Sequence, residues 1–122
     1  MNILTLNIRQ KFFDEILAGT KKQEFREIRP NSQSKYCKID SDGFAVENDG
    51  VIEPRKYDAI KFLTGEYKGS RPYAIVEVAG ANIELLVDEE TQEPIEYEYE
   101  GEIYTAAQVV YDLGRVIEKY NV

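Results

Sequence analysis

Apolar and polar residues alternate over positions 3–8, Ile3-Leu4-Thr5-Leu6-Asn7-Ile8, and β formers dominate, so the pattern predicts a strand. The period then changes. Phe12, Phe13, Ile16 and Leu17 fall on one face at the helical repeat, which predicts a helix over 9–18. Asn7 followed three residues later by Gln10 has the form of a capping box. Gly19 stands where a helix takes a left-handed residue at its end. Residues 20–28 read as a second strand, with Phe25 and Ile28 as core positions. Residues 31–55 form a long polar stretch with turns at Ser41-Asp42-Gly43 and Asn48-Asp49-Gly50. Between Gly43 and Gly50, Phe44-Ala45-Val46 suggests a short hairpin arm. Loops of this length inside a compact domain are often functional.

The second half continues in β pattern. Residues 57–63 and 73–78 read as strands, the latter central because few polar residues interrupt it. A turn holding Gly65, Gly69 and Pro72 joins them. Residues 83–87 and 95–99 are expected to pair across the turn at 88–94. The run Glu96-Tyr97-Glu98-Tyr99-Glu100 alternates as a strand with one wet acidic face does. Glu100-Gly101-Glu102 is a further tight turn, and 109–117 reads as a closing strand broken at Gly114. One helix and six or seven strands in a single domain, 1–122, give an α+β, mainly-β class. A closed or partly closed barrel is the natural way to remove sheet edges.

Composition narrows the chemistry. The 122 residues include no histidine, which removes histidine-based catalysis and most zinc sites. The single cysteine, Cys37, excludes an intrachain disulfide and reads as a neutral loop thiol. The acidic tract 89–102 lacks the spacing of a calcium loop and reads as a solvated hairpin face, so neither a metal nor another cofactor is implied. No apolar run is long enough for a membrane span, and the first residues are neither a secretory leader nor a transit peptide, so the expected location is cytoplasmic with no membrane partner. The net charge of −8 is unevenly spread. Residues 1–72 carry 13 Lys/Arg against 11 Asp/Glu, and residues 73–122 carry 2 against 12. A broad basic face for duplex DNA is missing, so a nucleic-acid partner would bind through the first half over a short footprint.

The stretch Phe12-Phe13-Asp14-Glu15-Ile16-Leu17-Ala18-Gly19-Thr20-Lys21-Lys22-Gln23-Glu24-Phe25-Arg26 resembles the ASCH signature, an amphipathic helix followed by G-x-K-x-x-E-x-R. Gly19, Lys21, Glu24 and Arg26 occupy its positions. Val110-Tyr111-Asp112-Leu113-Gly114 is similar to the family's closing strand, and residues 57–63 and 73–78 match its central strands in order and character. The resemblance does not cover residues 31–54. It implies a PUA-like β-barrel with the helix beside the barrel mouth. It also implies association with RNA, a nucleotide or a modified nucleoside. Some members hydrolyse the N4-acyl group of acetylated cytidine with a lysine, a threonine and a glutamate. Lys21 matches the lysine, Glu24 replaces the threonine, and no equivalent of the later glutamate is found.

These residues suit such a ligand. Arg26 can fork onto a phosphate or a base carbonyl, and Glu24 can accept from an exocyclic amine. Lys21, if desolvated, can act as a general base, which makes Lys21 and Glu24 the catalytic candidates. The plainer alternative is that Glu24 and Arg26 pair across a wet strand. Strict alternation sets Lys21 on the opposite strand face from Glu24 and Arg26, although the turn leaves its direction open. Arg9 and Gln10 at the helix start are candidate anion ligands, or simply solvated residues. Tyr67 and Arg71, on the Gly-containing turn, could stack a base and hold its phosphate, or belong to an ordinary charged loop. The leading expectation is a domain that binds RNA, a nucleotide or a modified nucleoside in a cleft around Lys21, Glu24 and Arg26. N4-acylcytidine amidohydrolysis is the alternative. A third reading is a protein-interaction module using the acidic C-terminal half.

Overall fold

A computed structural model describes residues 1–65 and 69–122. Strand makes up 51% of the chain and helix 13%, so the protein is mainly β, as the hydropathy pattern requires. Nine strands are described: β1 (Ile3–Asn7), β2 (Gln23–Ile28), β3 (Glu47–Asn48), β4 (Val51–Ile52), β5 (Ala59–Leu63), β6 (Tyr73–Leu85), β7 (Glu96–Tyr99), β8 (Glu102–Thr105) and β9 (Ala107–Tyr120). Two helices accompany them, α1 (Gln10–Ala18) and the short α2 (Gln33–Tyr36). The main sheet is mixed, in the order β1-β5-β6-β9-β2. β1 runs parallel to β5, and β5 antiparallel to β6. β3 with β4 and β7 with β8 form two further ribbons. Among the described residues β2 and β1 are the sheet's two edges, and their hydrogen bonds do not close it into the expected barrel.

The chain divides into two compact units. The first comprises residues 1–24, 56–80 and 111–122. Its core holds Leu4 and Leu6 from β1, Phe13 and Ile16 from α1, Ile60 and Phe62 from β5, Val76 from β6 and Tyr111 from β9. Only every other residue of β1 is buried, whereas Ala59, Ile60 and Phe62 of β5 are all inaccessible, as befits a strand between two neighbours. Phe13 is fully buried, a contribution of about 2–3 kcal/mol from removing its ring from water. The expected apolar helix face is narrower than its spacing suggests: Phe12 is 38% exposed and Leu17 half-buried.

The end of α1 follows the sequence expectation and its beginning does not. Gly19 adopts φ 80°, and its N–H donates to the carbonyls of Glu15 and Ile16. The proposed capping box is absent, because Arg9 is the N-cap and no side chain caps it. The Gln10 amide instead donates to Asp14 at 2.8 Å, and Asn7 accepts from Arg71 at 3.0 Å. The second strand starts at Gln23 rather than Thr20, since the N–H groups of Thr20 and Lys21 still close the helix end on the Glu15 carbonyl. Alternation along β2 turns Glu24, Arg26 and Ile28 inward, so Phe25 is 47% exposed rather than part of the core. The closing strand runs unbroken through Gly114, well beyond the expected 109–117.

The second unit comprises residues 25–55 and 81–110. The long polar segment is folded rather than open. Pro30–Ser32 makes a 3-10 turn in which Ser32 Oγ accepts from the Arg29 N–H at 3.0 Å, and α2 follows directly. Isolated bridges then tie Cys37 to Pro54 and Ile39 to Ala45. Asp49 and Gly50, at φ 52° and 77°, form the two-residue turn between β3 and β4. Glu100 and Gly101, at 49° and 82°, do the same between β7 and β8. Both positive angles match the primed turn that suits strand twist, and both sequences supply glycine at the second position. Residues 83–87 and 95–99 do not form the expected strand pair: 96–99 pairs with β8, and the two segments are joined instead by the Ile95 N–H on the Leu86 carbonyl and by a bridge between Val87 and Pro94.

Candidate functional site

The turn after α1 brings Lys21 round to Glu24. Their charged atoms lie 3.8 Å apart, with 18% and 8% of the side chains exposed. Strict alternation would have separated them; the helix end sets the direction of Lys21 instead, because its N–H still bonds to Glu15. The Lys21 ammonium also stands 5.4 Å from the centre of the Phe12 ring, and Lys11 reaches the same ring at 5.9 Å. The first unit therefore presents an exposed aromatic ring with two cations beside it and a carboxylate behind one of them. Arg26 shares the inward face of β2 with Glu24, is half-buried and belongs to the second unit.

The remaining sequence candidates divide. Gln10 and Arg71 meet on one residue: the buried Thr64 hydroxyl donates to Gln10 Oε1 at 3.4 Å, and Arg71 Nε donates to the Thr64 carbonyl at 3.4 Å. With its second bond to Asn7, Arg71 ties the ends of β1 and β5 together. Arg9 is exposed at the N-cap of α1. Tyr67 lies outside the described residues.

The second unit contains a pocket of about 330 Å³ that none of these residues lines. Ile28, Ile52, Ile83 and Ala107 supply its apolar surface. Tyr97 and Tyr104, directly opposite each other on β7 and β8, are stacked at 5.8 Å. Arg29 lies over Tyr97 at 4.7 Å and pairs with Glu27 at 2.7 Å. Gln33, Glu47 and Thr105 add polar groups. Cys37, between α2 and β3, also lines the pocket; it is buried, and burial pushes its thiol up from its ordinary value. The sequence carried a faint signal for this site, the alternating tyrosines of the hairpin. What it lacked was the meeting of residues 29 and 97, which only the tertiary fold creates.

No protein-family model, no curated protein and no solved structure matches the chain. Among the described residues, no helix is long and apolar enough to cross a membrane.

Proposed function

We propose that the first unit recognises a nucleotide, a modified nucleoside or a short single-stranded RNA segment. The observation that carries this reading is Phe12, an exposed ring flanked by Lys11 and Lys21. A base can stack on such a ring, and adjacent ammonium groups can hold its phosphate. Glu24, next to Lys21, is suited to accept from an exocyclic amine. The ASCH-like signature over residues 12–26 supports the same reading and relates the chain to PUA-like barrels. Charge agrees with it: the first unit carries 10 Lys/Arg against 8 Asp/Glu, a slight positive excess in an otherwise acidic protein. Such a small excess suits a short footprint and not a duplex.

Chemical-shift mapping with cytidine monophosphate and a short single-stranded RNA tests this reading. Shifts at residues 11, 12, 21 and 24, weakened by Phe12→Ala, are expected. Shifts confined to 96–102 would overturn it.

The amidohydrolase reading rests on the approach of Lys21 to Glu24, an amine and a carboxylate within 4 Å of each other. It must do without the threonine hydroxyl of the related enzymes, because Glu24 stands in its place.

A further inference from the structure

The second unit has the opposite electrostatic character. It carries 5 Lys/Arg against 15 Asp/Glu, a net charge of −10. Its pocket, about 330 Å³, falls at the lower end of the range for small-molecule sites, about 300–1,000 Å³. We propose that this pocket binds an organic cation, an amine or guanidine carried on an apolar body, and excludes anions.

Three observations give the ligand its chemistry. The floor is aliphatic, formed by Ile28, Ile52, Ile83 and Ala107, which favours an apolar body over a sugar or phosphate. The wall is aromatic, and the Tyr97 face already accepts one guanidinium, that of Arg29 at 4.7 Å. Ring faces attract cations through their quadrupole, as the Arg29 contact illustrates, and Tyr104 stacks on Tyr97 beside it. Finally, the charges within reach are matched unequally. Arg29 is neutralised by Glu27 at 2.7 Å, which leaves Glu47 as the remaining charged group of the lining. Gln33 and Thr105 provide oxygens that can accept from an ammonium. The field of a unit at −10 raises the local concentration of cations and opposes any anion that approaches.

This inference is independent of the nucleotide reading, which concerns other residues and the opposite sign of charge. Three probes of one ring and nearly one size separate charge from shape: tryptamine, tryptophol and indole-3-acetate. Binding is followed by chemical shifts of the methyl groups of Ile28, Ile52, Leu85 and Ala107. Tryptamine is expected to bind most tightly and indole-3-acetate most weakly, with a gap of about tenfold at low salt that narrows as salt screens it. Glu47→Gln should shrink the gap and leave tryptophol binding unchanged. Val51→Trp, at a position 58% exposed and therefore tolerant of bulk, should obstruct the pocket mouth and weaken all three. Folding of both variants is checked by their amide spectra. Indole-3-acetate binding as tightly as tryptamine would overturn the proposal. So would the absence of shifts at these methyl groups with all three probes.

Discussion

Gly114 of β9 lies against Glu77 of β6 so closely that a Cβ at Gly114 would stand 3.1 Å from the Cβ of Glu77. The strand continues through this point because glycine lets the two neighbours approach. Arg115, the next residue, closes onto the Glu77 carboxylate at 2.8 Å. Gly114→Val should destabilise the fold by about 1–3 kcal/mol through overpacking, despite the usual β preference for valine. Urea denaturation measures it, and an unchanged midpoint would show that β6 yields freely.

The two phenylalanines of α1 should respond differently. Phe13 is fully buried, and Phe13→Ala should cost about 3–5 kcal/mol. Phe12→Ala, at a ring 38% exposed, should cost less than about 1 kcal/mol and act on ligand binding instead. Equal losses of stability in urea melts would place Phe12 in the core and remove it from the site.

Incubation with N4-acetylcytidine decides between binding and catalysis. If Lys21 acts as the base, wild type releases cytidine and Lys21→Ala does not. If the unit only binds, neither protein turns the substrate over. Equal release by both would leave an activity without Lys21 in it.

Cys37 should resist alkylation near neutral pH in the folded protein. It is buried, and its thiol is pushed up by desolvation, so little thiolate is present or reachable. Iodoacetamide labelling followed by mass spectrometry should rise steeply only across the urea transition. Rapid labelling of the native protein would show that a reagent reaches the sulfur through the pocket that Cys37 lines.

Tyr73 donates to Glu118 at 2.7 Å, and this bond is the main reason its phenol is raised above its ordinary value. A folded-state value above the unfolded one means that the bond's contribution is fully present below about pH 10. It is lost as pH rises through the folded-state value. The difference in urea midpoint between wild type and Tyr73→Phe should therefore be constant from about pH 7 to about pH 9 and shrink above about pH 10. A difference that persists into stronger alkali would show that the effect does not depend on the proton shared with Glu118, since phenylalanine keeps the ring that stacks on Tyr120 at 5.3 Å.

Local regularities were legible in the sequence because they depend on near neighbours. The helix over 10–18, its end at Gly19, and the turns at Asp49-Gly50 and Glu100-Gly101 follow from periodicity and from glycine's access to positive φ. Burial also followed the period where one face was clearly apolar, as at Leu4 and Leu6. The strand 23–28 was different. Its two faces hold charged and apolar residues in nearly equal measure, so the sequence did not show that Glu24 turns inward and Phe25 outward. That choice is made by the placement of β2 at the sheet edge beside β9. The direction of Lys21 was likewise set by a hydrogen bond to Glu15 that alternation does not describe. The pocket unites residues 29, 33 and 47 with 97, 104 and 105. Sequence determined what each of these side chains is; only the tertiary fold decided that they share one space, because nothing local links residues so far apart along the chain.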